Sequence, residues 1–160
     1  MKALVVYDSF FGNTEKISGI IAKKLNCEAV RADRICYRET AEPDLLIVGS
    51  PTRAFNYTAN IKNFLTSLPS GCMKGRFAAV FDTRSNIEQI NSKFLNFMVR
   101  LFGYAAEKME RQVCRAGADL AACTNWFYVE DKEGPLKKGE IEKAEKWADE
   151  ILKTVNEGLM

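Results

Sequence analysis

Residues 8–14, Asp8-Ser9-Phe10-Phe11-Gly12-Asn13-Thr14, set hydroxyl, amide and glycine residues at a spacing that suits an anion. They follow the apolar run Ala3-Leu4-Val5-Val6-Tyr7 and lead at once into a helical pattern. A buried strand that empties through such a loop into a helix start presents unpaired backbone N–H groups and the positive end of the helix dipole. Gly12 permits a positive φ or a close approach of backbone to ligand. No lysine stands in the loop, so it is not the G-x-x-x-x-G-K-S/T loop that grips nucleoside triphosphates. Neutral donors alone point to a monophosphate. The competing reading is local: Asn13 is an ordinary N-cap after a glycine turn.

Two further loops carry similar chemistry. Leu45-Leu46-Ile47-Val48-Gly49 runs into Ser50-Pro51-Thr52-Arg53-Ala54-Phe55, and Phe77-Ala78-Ala79-Val80-Phe81 runs into Asp82-Thr83-Arg84-Ser85. Continuous apolar runs of this kind suit parallel strands buried on both faces. Between them the pattern is helical. Residues 13–25 place Ile17, Ile20, Ile21 and Leu25 on one face and Lys16, Lys23 and Lys24 on the other, and 59–68 carry Ile61, Phe64, Leu65 and Leu68. A short strand is expected over 28–32, a long helical region after 85, another strand near 120–129, and a closing helix over 139–156. Five strands alternating with helices predict one α/β domain spanning 1–160, a doubly wound parallel sheet with helices on both faces. In such sheets ligands sit past the carboxyl ends of the strands. Three polar loops meeting at that edge favour the anion reading over the simple cap.

Composition narrows the function. The 160 residues, 47% hydrophobic and 28% charged, suit one domain with a sizeable core. A net charge of +2 with scattered Lys and Arg argues against nucleic acid as a partner. The five cysteines form no C-x-x-C pair and the chain has no histidine. A transition-metal site is therefore not expected, and histidine catalysis is excluded. Unpaired thiols predict a reducing, cytoplasmic setting, and no apolar run approaches the roughly 18 residues of a membrane span.

Taken together, Ser9-Phe10-Phe11-Gly12-Asn13-Thr14 resembles the phosphate loop of flavodoxins, T/S-x-T-G-N-T. Gly49-Ser50-Pro51-Thr52-Arg53 is similar to their first flavin-ring loop, and Phe81-Asp82-Thr83-Arg84 falls where the second lies. The tail Gly134-Pro135-Leu136, followed by Gly139-Glu140 and an amphipathic helix, resembles the ending of many single-domain members. The resemblance implies strand order 2-1-3-4-5, noncovalent FMN and electron transfer between partner proteins. It assigns Ser9, Phe10, Phe11, Gly12, Asn13 and Thr14 to the phosphate, with Phe11 giving its backbone N–H. It assigns Pro51, Thr52, Arg53, Ala54, Phe55, Asp82, Thr83 and Arg84 to the ring, with no catalytic side chain and no metal.

Four departures shape the expected function. Phe11 replaces a hydroxyl residue of the loop. Arg53 and Arg84 stand in both ring loops of a slightly basic chain, a pattern that favours a reduced, anionic flavin. No glycine lies between Pro51 and Tyr57, where positive φ would be easiest. The apolar segment 94–102 fits a core helix packed on the sheet, a lid, a homodimer seam, or a surface for a quinone or partner protein. Three functions follow: an electron carrier between redox partner proteins, an FMN-dependent oxidoreductase acting on a quinone or similar acceptor, and a flavin-free binding module. There is no G-x-G-x-x-G after a strand, so no nicotinamide site is read.

Overall fold

The apolar runs become the strands of one parallel sheet in the computed structural model, which describes residues 1–37, 40, 42–86 and 91–158. The strands are β1 (Ala3–Tyr7), β2 (Glu28–Arg31), β3 (Leu45–Pro51), β4 (Phe77–Ser85), β5 (Asp119–Leu120) and β6 (Asn125–Val129). They stand in the order β2-β1-β3-β4, and β5 and β6 follow one another along the far side of β4. The order 2-1-3-4-5 holds, but two segments fill the fifth position. Ala78 pairs with Leu120, whereas Phe81 pairs with Asn125. The outer chain therefore carries two extra residues there and bulges away from the ladder.

Five helices complete the layers: α1 (Asn13–Leu25), α2 (Ala59–Thr66), α3 (Lys93–Phe102), α4 (Ala105–Arg115) and α5 (Glu140–Gly158). Side chains alternate across each strand. Val5, Ile47 and Phe81 enter the layer under α1 and α5, while Val6, Val48 and Val80 enter the layer under α2 and α4. Gly49 lies opposite Phe81 in the ladder, and a Cβ there would stand 2.3 Å from the Phe81 ring. That ring packs edge-on against Phe127 and Trp147, with centroids 5.5 and 5.9 Å away. Among the described residues, no helix is long and apolar enough to cross a membrane.

Two expectations change. β4 runs through Asp82, Thr83, Arg84 and Ser85, which the sequence places in a loop, because β6 supplies backbone partners to each of them. The long helical region breaks at Gly103, where φ is +69°, into α3 and α4. It is α4 that covers the sheet, through the buried Ala106, Met109 and Val113. With that face taken, α3 buries none of its residues, so the core-helix reading of 94–102 is overturned.

Candidate functional site

The first loop is held rigidly from below. Asp8 N–H donates to the Gly49 carbonyl at 3.1 Å, prolonging the contact of β1 with β3. The buried Asp8 carboxylate accepts from Ser9 N–H, Arg31 Nη2 and Asn60 Nδ2 at 2.9, 3.0 and 3.2 Å. Ser9 Oγ accepts from Gly12 N–H at 3.0 Å and closes the loop. Gly12 then turns the chain into α1 with φ +86°. Asn13 is not the cap that the local reading expects: it is the first residue of α1, and its Nδ2 donates to the Glu133 carbonyl at 2.9 Å. Among the described residues no side chain caps α1. Its first-turn N–H groups and positive dipole end lie open beside a cleft lined by Ser9, Asn13 and Thr14. Thr14 and Thr83 share a hydroxyl hydrogen bond of 2.8 Å, which joins this loop to β4.

The second loop is a tight two-residue turn. Arg53 and Asn56 exchange backbone hydrogen bonds of 2.8 and 2.9 Å, and the central Ala54 and Phe55 have φ of +45° and +64°. Such turns normally take Asn-Gly, since positive φ costs an L side chain about 1–2 kcal/mol. The missing glycine thus does not keep the loop from positive φ. Lys108 Nζ holds it by donating to the Phe55 carbonyl at 2.6 Å, and the Phe55 ring stacks on Phe102 with centroids 5.9 Å apart. Phe55 therefore faces α3 and does not line the cleft.

The third element centres on a buried ion pair. Arg84 Nε and Nη2 each donate to Asp82 over 2.6 Å, one to each carboxylate oxygen. Asp82 Oδ2 also accepts from Thr52 Oγ1 and from Ala106 N–H, both at 3.0 Å. Burial pushes the Asp82 carboxyl upward from its ordinary pKa, while Arg84, the Ala106 amide and Thr52 act against that rise. The guanidinium lies 3.5 Å from the centre of the Tyr104 ring and 5.1 Å from that of Trp126. Arg84 is thereby neutralised within the fold. Arg53 differs: it makes no ion pair among the described residues and stands over the rings of Phe10 and Phe11 at 5.0 and 5.6 Å.

These elements enclose a cleft of about 410 Å³ at the carboxyl edge of β1, β3 and β4. Eleven of the fourteen residues singled out from the sequence line it. Gly12, at the turn into α1, is not among the lining residues, Phe55 faces α3, and Asp82 is turned into the fold. Ser85, Val129 and Lys132 also line it and were missed. The sequence signal for them was available, since a strand ending near 129 places its following loop at the same edge. Among the described residues, three cations and no carboxylate line the cleft. A second pocket of about 400 Å³ adjoins it, sharing Thr52, Ala54, Arg84 and Ser85 and walled by Phe55, Leu95 and Tyr104. Together they suit an anionic group at the α1 terminus with a larger, partly apolar body beyond it.

This strand order, with its cleft at the carboxyl edge between the two helical layers, is a flavodoxin-like α/β fold. Solved structures agree. The chain resembles Flavodoxin 1 from Bacillus cereus with a TM-score of 0.76 and 18% identity, over 96% of this chain and 98% of that one. Flavodoxin 2 from Bacillus cereus gives a TM-score of 0.69 and 23% identity, over 96% and 99%. Rubredoxin oxygen:oxidoreductase from Desulfovibrio gigas gives a TM-score of 0.73 and 16% identity; 99% of this chain is covered, but only 37% of that longer one. No protein-family model matches the chain, and no curated protein matches it in sequence.

Proposed function

We propose that the protein binds FMN in this cleft and passes electrons between partner proteins. One observation carries the reading: among the described residues, a helix N-terminus without a side-chain cap opens onto a cleft lined by three cations and no carboxylate. The donor set fits a phosphate monoester. The Ser9 and Thr14 hydroxyls, the Asn13 side chain and the first-turn amides of α1 would hold it, with Gly12 giving the backbone access. The loop of Pro51, Thr52, Arg53 and Ala54, together with Thr83 and Arg84, would border the ring. When bound, FMN supplies reversible one- and two-electron redox chemistry.

The chain's own residues tune and shield that group. Arg53, unpaired by any carboxylate among the described residues, favours the negatively charged reduced form. Arg84 contributes less, because Asp82 already balances its charge. The Asp82–Thr52–Ala106 hydrogen bonds fix the ring loop to the start of α4, and Lys108 fixes its tip. Phe10 and Phe11 form an apolar rim at the mouth.

A second reading, an FMN-dependent oxidoreductase acting on a quinone or similar small acceptor, draws support from the adjoining pocket beside Phe55, Leu95 and Tyr104. The test is a visible-absorbance titration of the purified protein with FMN, followed by anaerobic reduction in the presence and absence of a soluble quinone. Saturable binding supports the proposal, and quinone-dependent reoxidation beyond the rate of free FMN selects the second reading. Failure to bind FMN overturns both and leaves a flavin-free module.

A further inference from the structure

The helix α3 lies outside both core layers, and its exposed chemistry is asymmetric. Phe94, Phe97 and Leu101 are 71%, 60% and 62% exposed. At about 100° per residue they fall within about 60° of one another around the helix. Leu95, Met98 and Val99 are half-buried on the side turned to the protein. Lys93, Asn96 and Arg100 occupy the remaining, solvent-facing edge, with both cations directly beside Phe97. From residue 91 to 106 the chain has no acidic side chain. Among the described residues, the helix itself presents an apolar stripe whose only charges are positive.

We propose that this face docks the protein on an anionic lipid bilayer, with α3 lying in the plane of the interface. Phe94, Phe97 and Leu101 would enter the headgroup–acyl boundary, and Lys93 and Arg100 would remain at the level of the lipid phosphates. The charge pattern is complementary to an anionic surface. A second copy fits less well. A ten-residue helix is only about 15 Å long, so pairing two such faces falls well below the ~1,200 Å² of a stable dimer. A protein partner would have to offer an apolar groove with an acidic rim to match it, an outcome the test below separates. The surface is continuous with the cleft. Phe102 stacks on Phe55, and Arg53, which opens the same turn, stands over the exposed Phe10 and Phe11. Docking through α3 would bring the mouth of the cleft to the headgroup layer. This inference stands on α3 alone and does not require the flavin reading.

Co-sedimentation of the full chain with two kinds of vesicle tests it: phosphatidylcholine alone, and phosphatidylcholine mixed with phosphatidylglycerol. The chain is expected to pellet with the mixed vesicles and to be released in part by salt. The double variant F97E/L101E is expected to weaken partitioning about tenfold or more. K93Q/R100Q is expected to remove the preference for the anionic vesicles. Because Lys93, Phe97, Arg100 and Leu101 are all exposed, both variants should keep the wild-type circular dichroism and melting temperature, so lost binding cannot be ascribed to unfolding. Absence of binding to the mixed vesicles, or binding unchanged in F97E/L101E, overturns the proposal. A dimer in sedimentation velocity that F97E/L101E dissociates, without vesicle binding, overturns it in favour of a second copy. Capture by an acidic protein surface without vesicle binding overturns it equally.

Discussion

Replacing Asp82 by alanine should be among the most damaging single changes near the cleft, and the structure says why. Its carboxylate accepts four hydrogen bonds, two from Arg84 at 2.6 Å and one each from Thr52 and Ala106 at 3.0 Å. Asp82→Ala strands the Arg84 guanidinium, which is itself almost fully buried. Breaking a buried pair by removing one partner costs about 3–5 kcal/mol. The stacking of Arg84 on Tyr104 retains up to about 2 kcal/mol for the cation, which pulls the figure toward the lower end. The orphaned Ala106 N–H opens α4 without its acceptor and pushes the figure back up, by about 1 kcal/mol. We expect a loss of about 3–4 kcal/mol in urea unfolding at neutral pH, followed by the fluorescence of the buried Trp147. The double variant Asp82→Leu/Arg84→Met removes both charges and should recover about 2 kcal/mol of that loss. A single-variant loss below about 1 kcal/mol, or a double variant no more stable than the single, would refute the view that this pair is a buried, mutually dependent strut.

Three further outcomes follow. Gly49→Ala should destabilise the fold by about 3 kcal/mol, because its Cβ would meet the buried Phe81 ring at 2.3 Å; a neutral urea melt contradicts the packing described. Gly12→Ala meets open space, so only its φ of +86° matters, and the expected loss is about 1–2 kcal/mol by the same melt; a neutral result contradicts the positive-φ assignment. Burial pushes the Cys27 thiol up to about 11. Its thiolate fraction at pH 8 is then about a hundredfold below that of a thiol at 9.0, and its alkylation rate should climb roughly tenfold per pH unit through pH 10. Mass-spectrometric mapping that shows its rate levelling off near pH 9 contradicts the shift.

Much of the fold was legible in the residues because burial on both faces leaves an unmistakable pattern. The runs 45–49 and 77–81 suit central parallel strands and form them, and the periodicity of 13–25 matches α1. The extension of β4 through Asp82 and Arg84 was hidden, because charged residues read as loop until their mutual pairing and the β6 partners are seen. The division of the outer strand into β5 and β6 was equally hidden, since a two-residue bulge changes register without changing composition. The exposure of α3 depends on a competition: α4, with its small Ala105 and Ala106 close to the sheet, takes the place that the more apolar segment would be expected to fill. At the site, loop chemistry located the cleft and placed Asn13 in it. The cap reading of Asn13 and the ring-side placement of Phe55 did not hold, because their orientations depend on the distant Glu133 and Phe102. Lys132 carries no binding-loop motif of its own, and only its place just past the carboxyl end of β6 marks it as part of the cleft.

The most direct test of the account compares FMN with riboflavin, which lacks only the phosphate, by quenching of flavin fluorescence in parallel titrations. An uncapped α1 terminus with the Ser9 and Thr14 hydroxyls predicts FMN binding at least about a hundredfold tighter than riboflavin, with most of that preference lost in Ser9→Ala/Thr14→Val. Equal affinities, or no FMN binding at all, would contradict the claim that this loop and helix form a phosphate site.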